Sequence, residues 1–208
     1  MTPNGFSEDY YLRGRSLGIS LYENYSWHPE MTRPAAQAIV QHLGCRSHDT
    51  VLDFGCARGY LVRALRELRL FAYGLDISSW ATGEGADQEA HPFLSHRLSG
   101  AYDWLVAKDV FEHLPVDTLA QTLIALRQRF FLGAFIVVPV SIVMNGPYAE
   151  HDEELDTTHQ IRWPREVWAQ LLKETWPKWS WTTLSRVVGI KDHRADSDGY
   201  GFFVGKRL

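Results

Sequence analysis

The chain has 208 residues, 45% apolar and 22% charged, with a net charge of −4. That size and balance suit one globular domain with a sizeable core and leave no room for a second catalytic domain. With arginines scattered among acids there is no basic tract to neutralise a phosphate backbone, so a nucleic-acid partner is disfavoured.

Two cysteines, Cys45 and Cys56, give a structural disulfide little support. The opening Met1-Thr2-Pro3-Asn4-Gly5 lacks a basic and then apolar leader pattern, and the longest apolar stretch, Phe130 to Val140, is too short to span a bilayer. The expectation is a soluble, cytoplasmic protein with no membrane partner.

Residues 1–32 interleave Tyr10, Tyr11, Tyr22, Tyr25 and Trp27 with glycines and arginines and show no strand period. This predicts a small N-terminal aromatic cap, followed by a domain over residues 33–208. Arg33 to Leu43 is a predicted helix, with Pro34 near its first turn and a stop at Gly44. Thr50 to Phe54 reads as the first core strand, and Tyr60 to Leu68 as its crossover helix, with Leu61, Leu65 and Leu68 on one face. Phe71 to Leu75 is the second strand. Ser79 to about His91 is a glycine-interrupted helix or turn region, and Phe93 to Leu98 a weak third strand.

Tyr102 to Ala107 is the fourth strand, Pro115 to Arg129 a helix with Leu119, Leu123 and Leu126 inward, and Phe130 to Val140 contains the fifth strand. After an acidic insert at residues 151–163, Arg165 to Lys173 forms the last long helix, and Trp181 to Val188 and Tyr200 to Lys206 close the set as strands. Strands alternating with helices require a mainly parallel sheet covered on both faces, because right-handed crossovers place the helices there. The predicted fold class is α/β: a Rossmann-like, doubly wound, mostly parallel seven-stranded sheet.

The most informative stretch is Thr50-Val51-Leu52-Asp53-Phe54-Gly55-Cys56-Ala57-Arg58-Gly59-Tyr60, followed by Gly74-Leu75-Asp76-Ile77-Ser78. A strand ends in a turn of small residues, a helix follows, and a second strand ends in a carboxylate, which is the layout of a nucleoside-binding unit. Gly55, Ala57 and Gly59 let a cofactor lie against bare backbone where N–H groups point outward. Asp76 is placed to accept hydrogen bonds from a ribose diol. A dinucleotide fingerprint needs a third glycine where Tyr60 stands, so NAD is the weaker reading.

The pattern Asp53-x-Gly55-x-Ala57-x-Gly59 resembles motif I of the class I S-adenosylmethionine (SAM) methyltransferases, with Ala57 a small departure at the middle position. Tyr102-Asp103-Trp104-Leu105-Val106-Ala107-Lys108-Asp109-Val110-Phe111-Glu112-His113-Leu114-Pro115 is similar to that family's fourth strand and its exit, in the group with a Glu-His motif. The resemblance implies SAM as cofactor, S-adenosylhomocysteine (SAH) as product and an antiparallel last strand. It also implies a cofactor site made of Asp53, Gly55, Ala57, Gly59, Asp76, Ile77, Lys108 and Asp109. The third strand brings no acidic residue for the adenine amino group; Ser95 to Leu98 occupies that stretch, leaving the contact to backbone. No Asn-Pro-Pro-Tyr run follows strand four, which argues against amino-methylation of DNA bases.

On the acceptor side His113 is the first candidate base, since imidazole titrates near neutrality; the alternative is a histidine that caps the next helix. Glu112 either orients the methionine end of a cofactor or binds local backbone. Asp156-x-Thr158-His159 and Trp163 look like a segment that shapes the acceptor site in the same group, the alternative being a solvated acidic loop, and His159 is the second candidate base. Tyr25 and Trp27 either cover the cleft or pack the cap. His151 and its acidic neighbours have poor metal spacing, so no metal is expected.

The leading expectation is methyl transfer to an oxygen or nitrogen of a small-molecule acceptor, such as a sugar or natural-product intermediate. A protein or RNA methyltransferase and a catalytically silent SAM-binding domain stand as alternatives, and the residues leave the oligomeric state open.

Overall fold

The apolar runs of the sequence become a seven-stranded sheet in the computed structural model, which describes residues 3–192 and 197–208. In chain order the elements are α1 (Glu8–Leu12), α2 (Pro29–Leu43), β1 (Thr50–Phe54), α3 (Tyr60–Glu67), β2 (Phe71–Leu75), α4 (Ser79–Thr82) and β3 (Leu94–Ser95). They continue with β4 (Tyr102–Lys108), α5 (Val116–Arg127), β5 (Phe130–Pro139), α6 (Arg165–Thr175), β6 (Trp179–Leu184) and β7 (Tyr200–Arg207). Short 3₁₀ turns include Phe111–His113 and His151–Leu155.

The strand order is β3-β2-β1-β4-β5-β7-β6. The pairs from β3 to β5 are parallel, and β7 runs antiparallel to both of its neighbours. The chain leaves β1 toward β2 on one side and later returns to β4 on the other. A sheet that reverses its winding order in this way opens a crevice beyond the carboxyl ends of the two central strands.

Successive residues of a strand face opposite sides, and β1 displays the consequence. Val51 joins the apolar layer of α2 and α3, with Ile39, Leu43, Val62 and Leu65, while Leu52 joins the layer of α5 and α6, with Leu119, Leu123, Trp168 and Leu172. Each fully buried Leu in these layers contributes roughly 1.5–3 kcal/mol relative to exposure. Among the described residues no helix is long and apolar enough to cross a membrane. Cys45 and Cys56 are free thiols.

Several element ends differ from expectation for local reasons. Helix α2 starts at Pro29, four residues before Arg33, because Pro29 presets the helical φ at the first position. Helix α4 is only four residues long, ending where Gly83 and Gly85 interrupt it. Strand β3 shrinks to two residues. Strand β6 stops at Leu184, and Val187 to Ile190 form a turn instead, with Gly189 in the left-handed region at φ +93°. The N-terminal segment contains α1, too short to leave a periodic signature.

Candidate functional site

The loop after β1 is built from left-handed backbone: Gly55, Ala57 and Gly59 have φ of +79°, +48° and +87°. A β-carbon on Gly55 would come 2.5 Å from Val110 Cγ2, and one on Gly59 2.7 Å from the Ala90 β-carbon, so both positions need glycine for space as well as for conformation. Asp76, just past β2, pins this loop. Its Oδ2 accepts the Ala57 N–H at 2.7 Å, and its Oδ1 accepts the Ser78 N–H at 2.8 Å. Burial raises the Asp76 pKa, opposed by those backbone donors. Asp53, buried at the end of β1, is pushed up to about 7 by desolvation, which outweighs the nearby Lys108.

A cavity of about 300 Å³ lies beyond the carboxyl ends of β1, β2 and β4. Asp53, Gly55, Ala57, Asp76, Ile77, Lys108 and Asp109 line one side, and Phe6, Tyr10, Tyr11, Tyr22 and Tyr25 from the N-terminal segment line the other. These rings interlock: Phe6 meets Tyr10 edge-on at 5.0 Å, and Tyr22 meets Tyr25 at 4.6 Å. Burial raises the hydroxyl pKa of Tyr10, Tyr11, Tyr22 and Tyr25, so the aromatic wall is uncharged. The segment is tied down by the Ser78 hydroxyl donating to Phe6 O at 2.5 Å and by Arg58 Nη1 donating to Tyr25 O at 2.5 Å.

Past β4, Asp109 adopts a left-handed φ of +56° and pairs with Lys108 and, at 2.8 Å, with Lys191 Nζ. Burial alone would raise its pKa, yet the two ammonium groups hold it well below the usual carboxylate range. The following 3₁₀ turn carries Glu112 and His113. Glu112 has no exposed surface, and neither of its carboxyl oxygens has a hydrogen-bond partner among the described residues. Burial, reinforced by the charge of Asp109, raises its pKa well above the ordinary value.

His113 Nδ1 lies 2.8 Å from Thr158 Oγ1, and the Thr158 hydroxyl donates to Asp156 Oδ1 at 2.5 Å. A hydroxyl has one proton, so Thr158 accepts from His113, which places the imidazole proton on Nδ1 and a lone pair on Nε2. Desolvation, then the neighbouring His159, pushes the His113 pKa down to about 4, leaving the ring neutral near pH 7. The rings of His113 and His159 meet edge-on at 4.6 Å. Backbone N–H groups of Gln160 and Ile161 donate to the Glu112 carbonyl at 2.9 and 3.0 Å, locking the acidic insert onto this turn.

The structure therefore places Asp53, Gly55, Ala57, Asp76, Ile77, Lys108, Asp109, Tyr25 and His113 around one cavity. Gly59 stands behind the loop as the N-cap of α3. Glu112, Asp156 and His159 lie behind His113, Asp156 joined to it through Thr158. Trp27 is outside the cavity wall, packed at a tilt against Tyr60 at 5.9 Å with the Arg63 guanidinium over its ring, and Trp163 packs on Trp168 at 5.2 Å beside the core. His151 is exposed. Sequence reasoning missed Phe6 and Lys191, gave Tyr10 and Tyr11 only as members of an aromatic cap, and gave Thr158 only as part of the acidic-insert segment.

Residues 27–177 match a family model described as Methyltransferase domain. No curated protein matches the sequence. Among solved structures, the chain is similar to the plantazolicin methyltransferase BamL, in complex with a triazolic desmethylPZN analog and SAH, at 12% identity and TM-score 0.65, covering 86% of this chain and 85% of that one. It is similar to magnesium protoporphyrin IX methyltransferase (ChlM) from Synechocystis PCC 6803 with bound SAH, at 15% identity and TM-score 0.62 over 97% of each chain. A third similar structure is the Burkholderia thailandensis 1,6-didemethyltoxoflavin-N1-methyltransferase with its substrate and S-adenosylhomocysteine, at 18% identity, TM-score 0.58 and coverage of 86% and 78%.

Proposed function

Because the chain belongs to the methyltransferase-domain family, we propose that it transfers the methyl group of SAM to an oxygen or nitrogen of a small-molecule acceptor, a sugar or natural-product intermediate being the class that fits. The observation that carries this reading is Asp76. It stands in the cavity wall with its two oxygens held by the loop backbone, and a carboxylate in that place is the group suited to accept from the adjacent hydroxyls of a ribose. Gly55 and Ala57 supply the bare backbone beside it, and Lys108 and Asp109 line the wall beyond. SAM supplies a sulfonium-activated methyl group, so the protein's task is chiefly alignment of the acceptor and exclusion of water. The aromatic roof serves the second purpose and offers π-faces to a cation.

His113 lines the same cavity with its Nε2 lone pair held ready by the Thr158–Asp156 relay, which makes it the group for handling an acceptor proton; His159 braces it from behind. A small acceptor is supported by the roofed cavity, by the net charge of −4, and by structural neighbours bound to a triazolic desmethylPZN analog and to 1,6-didemethyltoxoflavin.

Calorimetric titration with SAM, SAH and NAD tests the reading: the first two are expected to bind and NAD not. Asp76→Ala is expected to weaken SAH binding by roughly 1–3 kcal/mol through lost charge-assisted hydrogen bonds, and unchanged affinity would remove its assigned role. Incubating the protein with SAM and an acceptor pool then separates an enzyme, which forms SAH above background, from a silent cofactor-binding domain.

A further inference from the structure

We propose that Glu112, His113 and His159 form a binding site for one divalent transition-metal cation at the acceptor side of the cavity. One potential ligand atom from each of the three residues lies within 4.8 Å of the others. Glu112 Oε1 is 3.8 Å from His113 Nε2 and 4.0 Å from His159 Nε2. Those separations exceed hydrogen-bond range, so the three groups face one another without bonding. Bonds of about 2.0–2.2 Å to a common ion put ligands about 3–3.5 Å apart, and modest side-chain closure reaches that geometry.

Three features separate this cluster from a chance meeting of polar groups. A fully buried carboxyl with both oxygens unpartnered is costly unless something compensates it, and among the described residues no Lys or Arg side chain comes within ion-pair distance of it. Lys191, the nearest buried ammonium, is engaged by Asp109 at 2.8 Å and stands 3.7 Å from Glu153. The second feature is tautomeric: the proton of His113 is fixed on Nδ1 by Thr158 and Asp156, with Tyr10 OH donating to the other Asp156 oxygen at 2.6 Å. A histidine oriented by a carboxylate-backed donor, with its remaining nitrogen free, is the usual outer support of a metal ligand. The third is the donor set. Two imidazoles and one carboxylate suit ions such as Zn²⁺, Fe²⁺ or Co²⁺ better than Mg²⁺ or Ca²⁺, which prefer oxygen ligands.

Because His113 lines the cavity, an ion held there would stand at its wall and leave coordination positions open toward the acceptor. It would lower the pKa of an acceptor hydroxyl. With the His113 Nε2 lone pair then bound to the ion instead of acting as a base, the hydroxyl proton leaves to solvent, the oxygen lone pair forms the new O–CH₃ bond, and the breaking S–CH₃ bond returns its electron pair to sulfur. This consequence rests on the methyl-transfer reading, whereas the site itself stands without it.

The test is titration of untagged, chelator-treated protein with Co²⁺, followed by visible absorption, with SAH calorimetry run in parallel. One Co²⁺ per chain with an intense ligand-field band is expected for the wild type and His151→Ala, and no band for Glu112→Gln or His159→Ala. Thr158→Ala should bind Co²⁺ about 10–100-fold more weakly. Circular dichroism checks that the variants fold. No band in the wild type, or a band undiminished in both folded ligand variants, overturns the site. SAH binding without Co²⁺ binding sinks the metal proposal alone, and Co²⁺ binding without SAH binding sinks the methyl-transfer reading alone.

Discussion

Asp53 ends a central strand with its carboxyl sealed in the protein, where desolvation lifts its pKa to about 7 despite Lys108. In the unfolded chain the same group titrates near 3.9. The folded-state pKa is the higher one, so the group's contribution to stability is fully present below about pH 4 and is lost as pH rises through 7. Unfolding free energy of the ligand-free protein, measured in urea, should therefore carry a downward component of a few kcal/mol between those limits. Asp53→Asn should remove that component and keep the fold; a variant whose pH slope matches the wild type would show that Asp53 ionises freely. Asp53, Gly55, Gly59 and Asp76 were legible in the sequence because the loop that joins them is chain-local, and its steric demands, such as the 2.5 Å approach of Val110 to Gly55, act on residue type directly. Trp27 and Trp163 misled for the opposite reason. An aromatic side chain fits a lid and a core equally well until its packing partners, Tyr60 and Trp168, are known.

The elements of the sheet followed from period and punctuation, and β1 and β2 have the expected limits. The roof did not, since α1 spans five residues and is held by contacts to other elements. Arg58, in the loop between β1 and α3, is the main clasp. Its guanidinium donates to the carbonyls of Tyr25 and Gly85 and lies over the rings of Tyr60 and Trp80 at 5.4 and 5.5 Å. One side chain thus joins the cofactor loop, the roof and the segment after α4. Arg58→Ala should leave the sheet intact, speed amide exchange across residues 20–28 and weaken SAH binding about tenfold, the scale of one to two lost hydrogen bonds. Hydrogen exchange with mass spectrometry reads the first effect, and unchanged protection of that segment would reassign the clasp to the aromatic packing alone.

At the scale of the molecule the site divides by sequence distance. The proposed cofactor side is assembled from residues 53–109 on consecutive βα units, whereas the proposed acceptor side is closed by partners far apart in the chain. Tyr10 and Asp156 are separated by 146 positions, His113 and Thr158 by 45, and the Thr157 N–H reaches back to Ile19 O at 3.2 Å. No motif encodes such pairings, which is why the sequence assembled the proposed cofactor side from one local stretch and only nominated members of the other.

The same wiring makes the roof and the insert one unit. Asp156 accepts from the Tyr10 hydroxyl on one oxygen and from the Thr158 hydroxyl and N–H on the other, so movement of α1 reaches His113 through three hydrogen bonds in series, Tyr10 to Asp156, Thr158 to Asp156 and His113 to Thr158. Tyr10→Phe removes one donor to a buried carboxylate while keeping the ring that packs against Phe6 and Tyr22, and should cost about 1–3 kcal/mol of stability. Its distinguishing effect is spatial: amide exchange should accelerate both in residues 8–12 and in residues 151–159, with SAH affinity nearly unchanged. Acceleration confined to the N-terminal residues would mean that the insert is held independently of Tyr10, by ties such as those to the Glu112 carbonyl, and that closure of the roof does not reach the acceptor side.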